Sequence, residues 1–295
     1  MSLGRVSTTL QRAVHDADWR KQFRFRGRAW RVFSRLGLTG LHAAPVHRTW
    51  LDIRRLRMPL PNLPLGAEGL RLVQISDLHV SPVVTMGFLR EQLRHVAELR
   101  PALLVVTGDL ITGGHRYAKL AARLLAELDP QPPMGIVCTL GNHDYGLVGK
   151  RNPREGEARA LRLQRELGRF GIRLLRNEAI DVAGVTIVGL DDLYTDRLDA
   201  DVAFDGVDGP TICLNHDPRN AVALKPHPWH WMLAGHTHGR QLGRKLGGRA
   251  RRPFVRGLYD LGDGQSLYVN RGLSYGQRWQ NWCKPEITVF KLTAA

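Results

Sequence analysis

Cysteine is scarce in this chain. Cys138, Cys213 and Cys283 are the only three among 295 residues, too few for a disulfide framework. Cys138 and Cys213 sit inside the apolar runs "GIVCTL" and "TICLN" and are expected to be small buried hydrophobes in a reducing compartment. Long apolar runs are also missing. No stretch of about eighteen uncharged apolar residues occurs, which argues against a transmembrane helix. The N-terminus shows no signal-peptide apolar core. The twin Arg54-Arg55 leads into "LRMPLPNLPL", which prolines interrupt, so it does not read as an export signal. The expected location is cytoplasmic. Acids are the last shortage: 27 Asp and Glu face 43 Lys and Arg, a net charge of +16. Residues 1–58 hold thirteen basic residues against Asp16, Asp18 and Asp52, and so carry +10 of that excess. A basic excess calls for an anionic partner: nucleic acid, a membrane surface or an acidic substrate.

What is present divides in two. Residues 1–48 are basic, aromatic and helix-like; residues 49–295 alternate short apolar runs with helical patterns. "TWLDIRRLRMPL" reads as an edge strand ending at prolines. "GLRLVQISD", "ALLVVTGD" and "GIVCTLGN" read as strands, with helices expected over Gly87–Leu99, Tyr117–Leu128 and Pro153–Phe170. "IRLL", "VTIVGL", "TICLN", "WMLAG", "PFVRGLYDL", "SLYVN" and "ITVFKL" add strands in the second half. Helices connect the early strands and strands dominate later, a mixed α/β pattern with a layered sheet core. No internal repeat is found, and 239–252 reads as an exposed Gly/Arg-rich loop.

The informative feature is what ends each strand. "VQIS" runs into Asp77-Leu78-His79, "LLVVT" into Gly108-Asp109, and "IVCTL" into Gly141-Asn142-His143-Asp144. "TICL" runs into Asn215-His216-Asp217, and "WMLA" into Gly235-His236-Thr237-His238. In open α/β sheets ligands bind beyond the carboxyl ends of strands. Carboxylate, amide and imidazole donors without a thiolate suit manganese, iron or zinc in hydrolysis better than a structural zinc site. Asp191 and Asp192 also end a strand and are read as structural hydrogen-bonding groups. His227 and His230, in "KPHPWHW", are read as a packed loop. His115 lies close enough to the metal-type loops to touch a substrate.

The order "DLH … GDL … GNHD … NH … GHTH" resembles the calcineurin-like metallophosphoesterase superfamily, over Asp52 to Leu292. The resemblance implies a four-layer α/β/β/α sandwich of two mixed sheets flanked by helices. It implies two divalent metal ions: one held by Asp77, His79, Asp109 and His238, the other by Asp109, Asn142, His216 and His236, with Asp109 shared. A shared carboxylate offsets the repulsion of two ions about 3.5–4 Å apart. His143 is implied to face the scissile phosphate and either protonate the leaving oxygen or stabilise its charge. Asp144 would orient His143 through its second ring nitrogen, or act as a helix N-cap. "GHTHG.Q", "YVNRGL", "PEITVFKL" and the leading "LPNLP" resemble a bacterial branch of membrane-associated phosphodiesterases that includes a UDP-2,3-diacylglucosamine pyrophosphatase of lipid A synthesis. Arg240 stands where that branch usually has glycine, and Arg278 is a further candidate phosphate contact.

The stretch "WRKQFRFRGRAWRVFSRLGL" holds seven basic residues from Arg20 to Arg35 and no acid. Trp19, Phe23, Trp30 and Phe33 share one helical stripe. A basic helix with an aromatic stripe reads as interfacial, so residues 19–36 are expected on an anionic membrane surface, at the inner face of the cytoplasmic membrane. Packing of that stripe on the catalytic domain or a second subunit is the alternative. The expected activity is hydrolysis of a phosphodiester or pyrophosphate bond, with a lipid-linked substrate favoured over nucleic acid or soluble nucleotides. A degenerate, non-catalytic scaffold is the third reading, and the complete donor set argues against it.

Overall fold

The computed structural model describes residues 51–82, 84–112, 114–146, 152–239, 254–274 and 283–295. The basic segment 1–48, with Trp19, Phe23, Trp30 and Phe33, lies outside them, as do Arg240 and Arg278.

The described residues form two six-stranded sheets. The first runs in the order β1 (Asp52–Leu60), β12 (Glu286–Ala294), β2 (Arg71–Ile75), β3 (Leu103–Thr107), β4 (Ile136–Thr139) and β5 (Arg173–Leu174). The second runs β10 (Gly257–Asp260), β11 (Ser266–Val269), β9 (Trp231–Ala234), β8 (Thr211–Leu214), β7 (Val185–Gly189) and β6 (Glu178–Val182). Each has a parallel centre, β2 to β5 and β11 to β7, and antiparallel pairing nearer an edge, β12 on β2 and β6 on β7. Both sheets are therefore mixed, and β1 is an edge strand as its prolines predict.

Period-two alternation sorts the side chains into layers. Val73 and Ile75, Leu104 and Val106, Ile136 and Cys138 face three helices, α1 (Met86–Glu98), α2 (His115–Ala126) and α3 (Pro153–Gly168). Leu72, Leu103, Val105 and Val137 face the other way and meet Ile187, Ile212, Leu214, Trp231 and Leu233 of the second sheet. Full burial of one such side chain is worth about 1.5–3 kcal/mol, so this interlayer contributes heavily to joining the sheets. The outer face of the second sheet is covered more thinly, by the short helix α4 (Ala200–Ala203), a single turn at Pro218–Ala221 and the buried Trp229.

Helix starts follow local chemistry. Thr85 accepts the N–H of Phe88 at the start of α1, and Asn152 accepts that of Glu155 at the start of α3, with Pro153 next in line. The edge strand β6 was not legible, because its alternation rests on two residues only, Ile180 and Val182, which pack on the interlayer. Cys138 and Cys213 are buried, and burial pushes both thiols up, away from reactivity. Among the described residues no helix is long and apolar enough to cross a membrane.

Candidate metal centre

β2, β3 and β4 of one sheet and β8 and β9 of the other end at one place. Side chain-to-backbone hydrogen bonds join the sheets there: Gln74 Nε2 donates to Ala234 O at 3.0 Å, and His236 N–H donates to Asp77 Oδ2 at 3.1 Å. The loops after these strands deliver the carboxylates and imidazoles singled out in the sequence.

The donor groups gather about one carboxylate, Asp109: Asp77, His79 and His238 on one side, His216 and His236 on the other. Asp77 Oδ1 lies 3.2 Å from His238 Nε2 and 3.7 Å from His79 Nε2, and those two imidazole nitrogens stand 3.2 Å apart. Asp109 Oδ2 lies 3.5 Å from His79 Nε2 and 3.2 Å from His216 Nε2, so one oxygen faces both groups. His216 Nε2 is in turn 3.3 Å from His236 Nδ1. Two donors that share an ion at about 2.1 Å stand roughly 3.0–3.4 Å apart, according to coordination geometry. Four of the six distances fall in that range, and the two from His79 to Asp77 and Asp109, at 3.7 and 3.5 Å, are slightly longer. The Oδ1 oxygens of Asp77 and Asn142 are buried and accept no hydrogen bond. Such orphaned acceptors are costly unless a cation satisfies them. The residues present therefore fit divalent metal binding.

Orientation is imposed from outside. His216 Nδ1 lies 2.8 Å from Thr107 O. A carbonyl only accepts, so Nδ1 carries the proton and Nε2 offers its lone pair to the cluster. His79 Nδ1 is 3.2 Å from the Thr112 hydroxyl. Asp77 Oδ2 accepts the Ser76 hydroxyl at 2.6 Å, and Asp109 Oδ1 accepts His143 N–H at 2.9 Å. Beyond His236, the Asp217 carboxylate lies 3.9 Å from Nε2, and Arg219 clasps Asp217.

The backbone is held in an unfavourable form. Asp77, His79, Asp109, His236 and His238 all have positive φ, between 49° and 70°. Each such residue costs on the order of 1–3 kcal/mol, and strain of this kind clusters at functional sites. Glycines supply clearance. A Cβ on Gly108 (φ +81) would stand 2.5 Å from His216 Nδ1, one on Gly235 would collide with Ser76 Oγ, and one on Gly272 (φ +77) would meet Asp77 Cβ at 2.6 Å.

Charge follows geometry. Burial works to raise the Asp109 pKa, but His216 and His143 outweigh it and hold the carboxyl well below its usual range. Burial works to lower the His216 and His79 pKa values, but Asp109 and Asp77 outweigh it and raise both. His143 goes the other way: burial holds its pKa below the usual imidazole range.

One expected contact is corrected. Asp144 does not orient His143 and is not a helix N-cap. Its two oxygens accept backbone N–H groups, Oδ1 from Ile111 and Oδ2 from Gly141, both at 2.9 Å. It staples the loop after β3 to the loop after β4. Burial, with the nearby Asp109 charge, pushes its pKa up to about 7. His143 Nδ1 is buried without a hydrogen-bond partner, and its ring stands edge-on to His79 at 4.8 Å.

Other residues take structural places. Asp191 accepts the Tyr145 hydroxyl and Arg176 Nε, and Asp192 caps the turn at Thr195. His227 stacks on Phe204 and His230 Nδ1 accepts Thr211 N–H, apart from the cluster. The backbone of His115 opens α2. Thr107, Thr112, Ser76 and Arg219 were not singled out from sequence. Thr107 and Thr112 act on imidazoles far along the chain, while Ser76 and Arg219 hold carboxylates one and two residues away, contacts that spacing alone does not single out.

A two-sheet sandwich with this polar cluster at its strand ends defines a class. Residues 70–240 match the family model of the calcineurin-like phosphoesterases, and the chain belongs to that family and is a phosphoester hydrolase. Within it the chain is 30% identical to the UDP-2,3-diacylglucosamine pyrophosphatase LpxG of Chlamydia muridarum, over 88% of this chain and 97% of that protein. It is also 30% identical to the uncharacterized metallophosphoesterase YkuE of Bacillus subtilis, over 78% of this chain and 81% of that one. A phosphodiesterase of Escherichia coli, YaeI, is 27% identical over 82% and 88% of the two chains.

Proposed function

We propose that this protein is a dinuclear metal-dependent phosphodiesterase or pyrophosphatase acting on a lipid-linked substrate of the UDP-2,3-diacylglucosamine type at the inner face of the cytoplasmic membrane, in lipid A synthesis. The observation that carries the reaction is the single Asp109 oxygen facing both imidazole groups. Asp77, His79, Asp109 and His238 would hold one ion, and Asp109, Asn142, His216 and His236 the other. Oxygen and imidazole donors suit manganese, iron or zinc. When bound, such ions supply Lewis-acid charge to the phosphoryl group and acidify water.

The chain's own residues do the rest. Asp109 and Asp77 offset the two cations. Thr107 O and the Thr112 hydroxyl hold the rings of His216 and His79 in register. Asp144 keeps the Asp109 and Asn142 loops at fixed separation. His143, kept neutral by burial, presents an N–H to the leaving oxygen and stabilises its charge. The substrate class rests on the near full-length similarity to LpxG. Segment 1–48, through residues 19–36, would hold the enzyme on the anionic membrane surface.

The test is a substrate screen with manganese, iron or zinc added in turn: bis-p-nitrophenyl phosphate, UDP-2,3-diacylglucosamine in detergent, and oligonucleotides. Metal-dependent hydrolysis of the first two supports the proposal. Cleavage of oligonucleotides with the UDP-diacyl sugar left intact would replace it with a nuclease reading.

A further inference from the structure

Helix α3 turns an unusual face to solvent. Arg154, Ala158, Leu161, Arg162, Arg165 and Arg169 are all exposed, and at 3.6 residues per turn they fall within an arc of about 100°. The opposite side, with Ala160, Leu163 and Leu167, is buried against the first sheet. The outward arc contains no acid. Glu155 is taken by Arg159 at 2.7 Å, Glu157 by Arg176 and Arg197 at 2.9 and 2.8 Å, and the buried Glu166 by Arg169 at 2.8 Å. Arg154, Arg162 and Arg165, and Arg173 just beyond, make no ion pair among the described residues. One large apolar side chain stands among these arginines: Leu161 is 44% exposed. The adjoining helix α2 continues the charge with the exposed Arg116 and Lys119.

We infer that this face of α3 docks on an anionic lipid bilayer. The arginines match the phosphate headgroups, while Leu161 enters the headgroup boundary, the combination an interfacial helix uses. A nucleic acid would satisfy the arginines but would leave the exposed leucine without a role. Because the other side of α3 is already packed, docking is shallow and falls with ionic strength. From the flank of α3 a chain of contacts runs to the loop after β4. Glu157 of α3 binds Arg176, Arg176 binds Asp191, and Asp191 binds Tyr145, the neighbour of Asp144. This inference deepens the membrane-surface reading above by naming a contact outside segment 1–48, and it does not depend on the substrate.

The experiment is co-sedimentation of the full chain with vesicles of phosphatidylcholine containing about a third phosphatidylglycerol, against phosphatidylcholine alone. Attraction of about fivefold in affinity per basic residue near the surface predicts that the triple variant R154E/R162E/R165E binds the anionic vesicles at least about 50-fold more weakly. An equal charge change elsewhere, R55E/R57E/R256E on the exposed β1 and β10 region, should cost far less. The variant L161S should weaken binding even at high salt, where the charge contribution is screened. Unchanged hydrolysis of bis-p-nitrophenyl phosphate shows that each variant is folded, and the milder R154Q/R162Q/R165Q replaces the triple if it is not. Equal losses in the helix and control triples, or no loss in either, overturn the inference. So does loss of oligonucleotide binding with vesicle binding intact. Vesicle binding that persists while UDP-diacyl sugar hydrolysis fails would remove the substrate reading and leave this one standing.

Discussion

Asp109 shows how much one side chain can decide. Its Oδ2 faces His79 and His216, while Oδ1 holds the His143 amide. Asp109→Ala is expected to lose both ions together, read by metal analysis of the purified protein, with hydrolysis at background. Retention of one tightly bound ion would show that the carboxylate is not shared. His143 is predicted to separate from the ligands: His143→Ala should lower kcat by roughly 10²–10⁴-fold with metal content unchanged. Loss of metal in that variant would move His143 into the ligand set, which its place beside His79 and Asp109 also permits sterically. The order of these residues was legible because each follows an apolar run in the sequence. Their positive φ values were not, since a left-handed backbone at Asp77 or His238 is imposed by surroundings that only the fold assembles.

Elements act here chiefly through their ends. α3 is tied to the β5–β6 connection and to the loop after β7 by Glu157, whose carboxylate accepts Arg176 Nη1 at 2.9 Å and Arg197 Nε at 2.8 Å. The hydrogen bond from Arg176 leads the effects that lower the Glu157 pKa, ahead of burial, which opposes it, and the bond from Arg197. A lowered folded pKa means the carboxylate stabilises the fold above its unfolded value of about 4.5. That contribution is lost as pH falls through the folded pKa. Urea unfolding between about pH 6 and 3 should therefore show a smaller acid loss of stability in Glu157→Gln than in the parent. An identical pH profile would mean the carboxylate is not held by the arginines in solution. The loops after β3 and β4 are joined in a similar way by Asp144. Asp144→Asn turns an amide N–H toward a backbone N–H, leaving a donor unpaired at a cost of about 1–3 kcal/mol. The measure is the urea midpoint of the metal-free protein, and an unchanged midpoint would remove the staple.

At the scale of the molecule, two sheets are held by an apolar interlayer but meet at a cluster of charge. Asp77, Asp109 and Asp217 are buried there, and carboxylates so placed repel one another without cations. Chelation of a metal-loaded preparation should lower its unfolding temperature, by mass action on the native state, and re-addition of metal should restore it. A midpoint indifferent to chelation would mean that the ions contribute nothing to the fold. What the sequence determined by itself was the element order, the alternation that sorts side chains into layers, and the candidate donors at five strand ends, because apolar period and turn chemistry are local properties. The tertiary structure alone decided which oxygen stands between the imidazoles and that Asp144 staples loops. It also decided that α3 spends its acids inward and leaves its arginines to solvent. Those outcomes depend on distances between residues far apart in the chain, which a sequence does not contain until its sheets have paired.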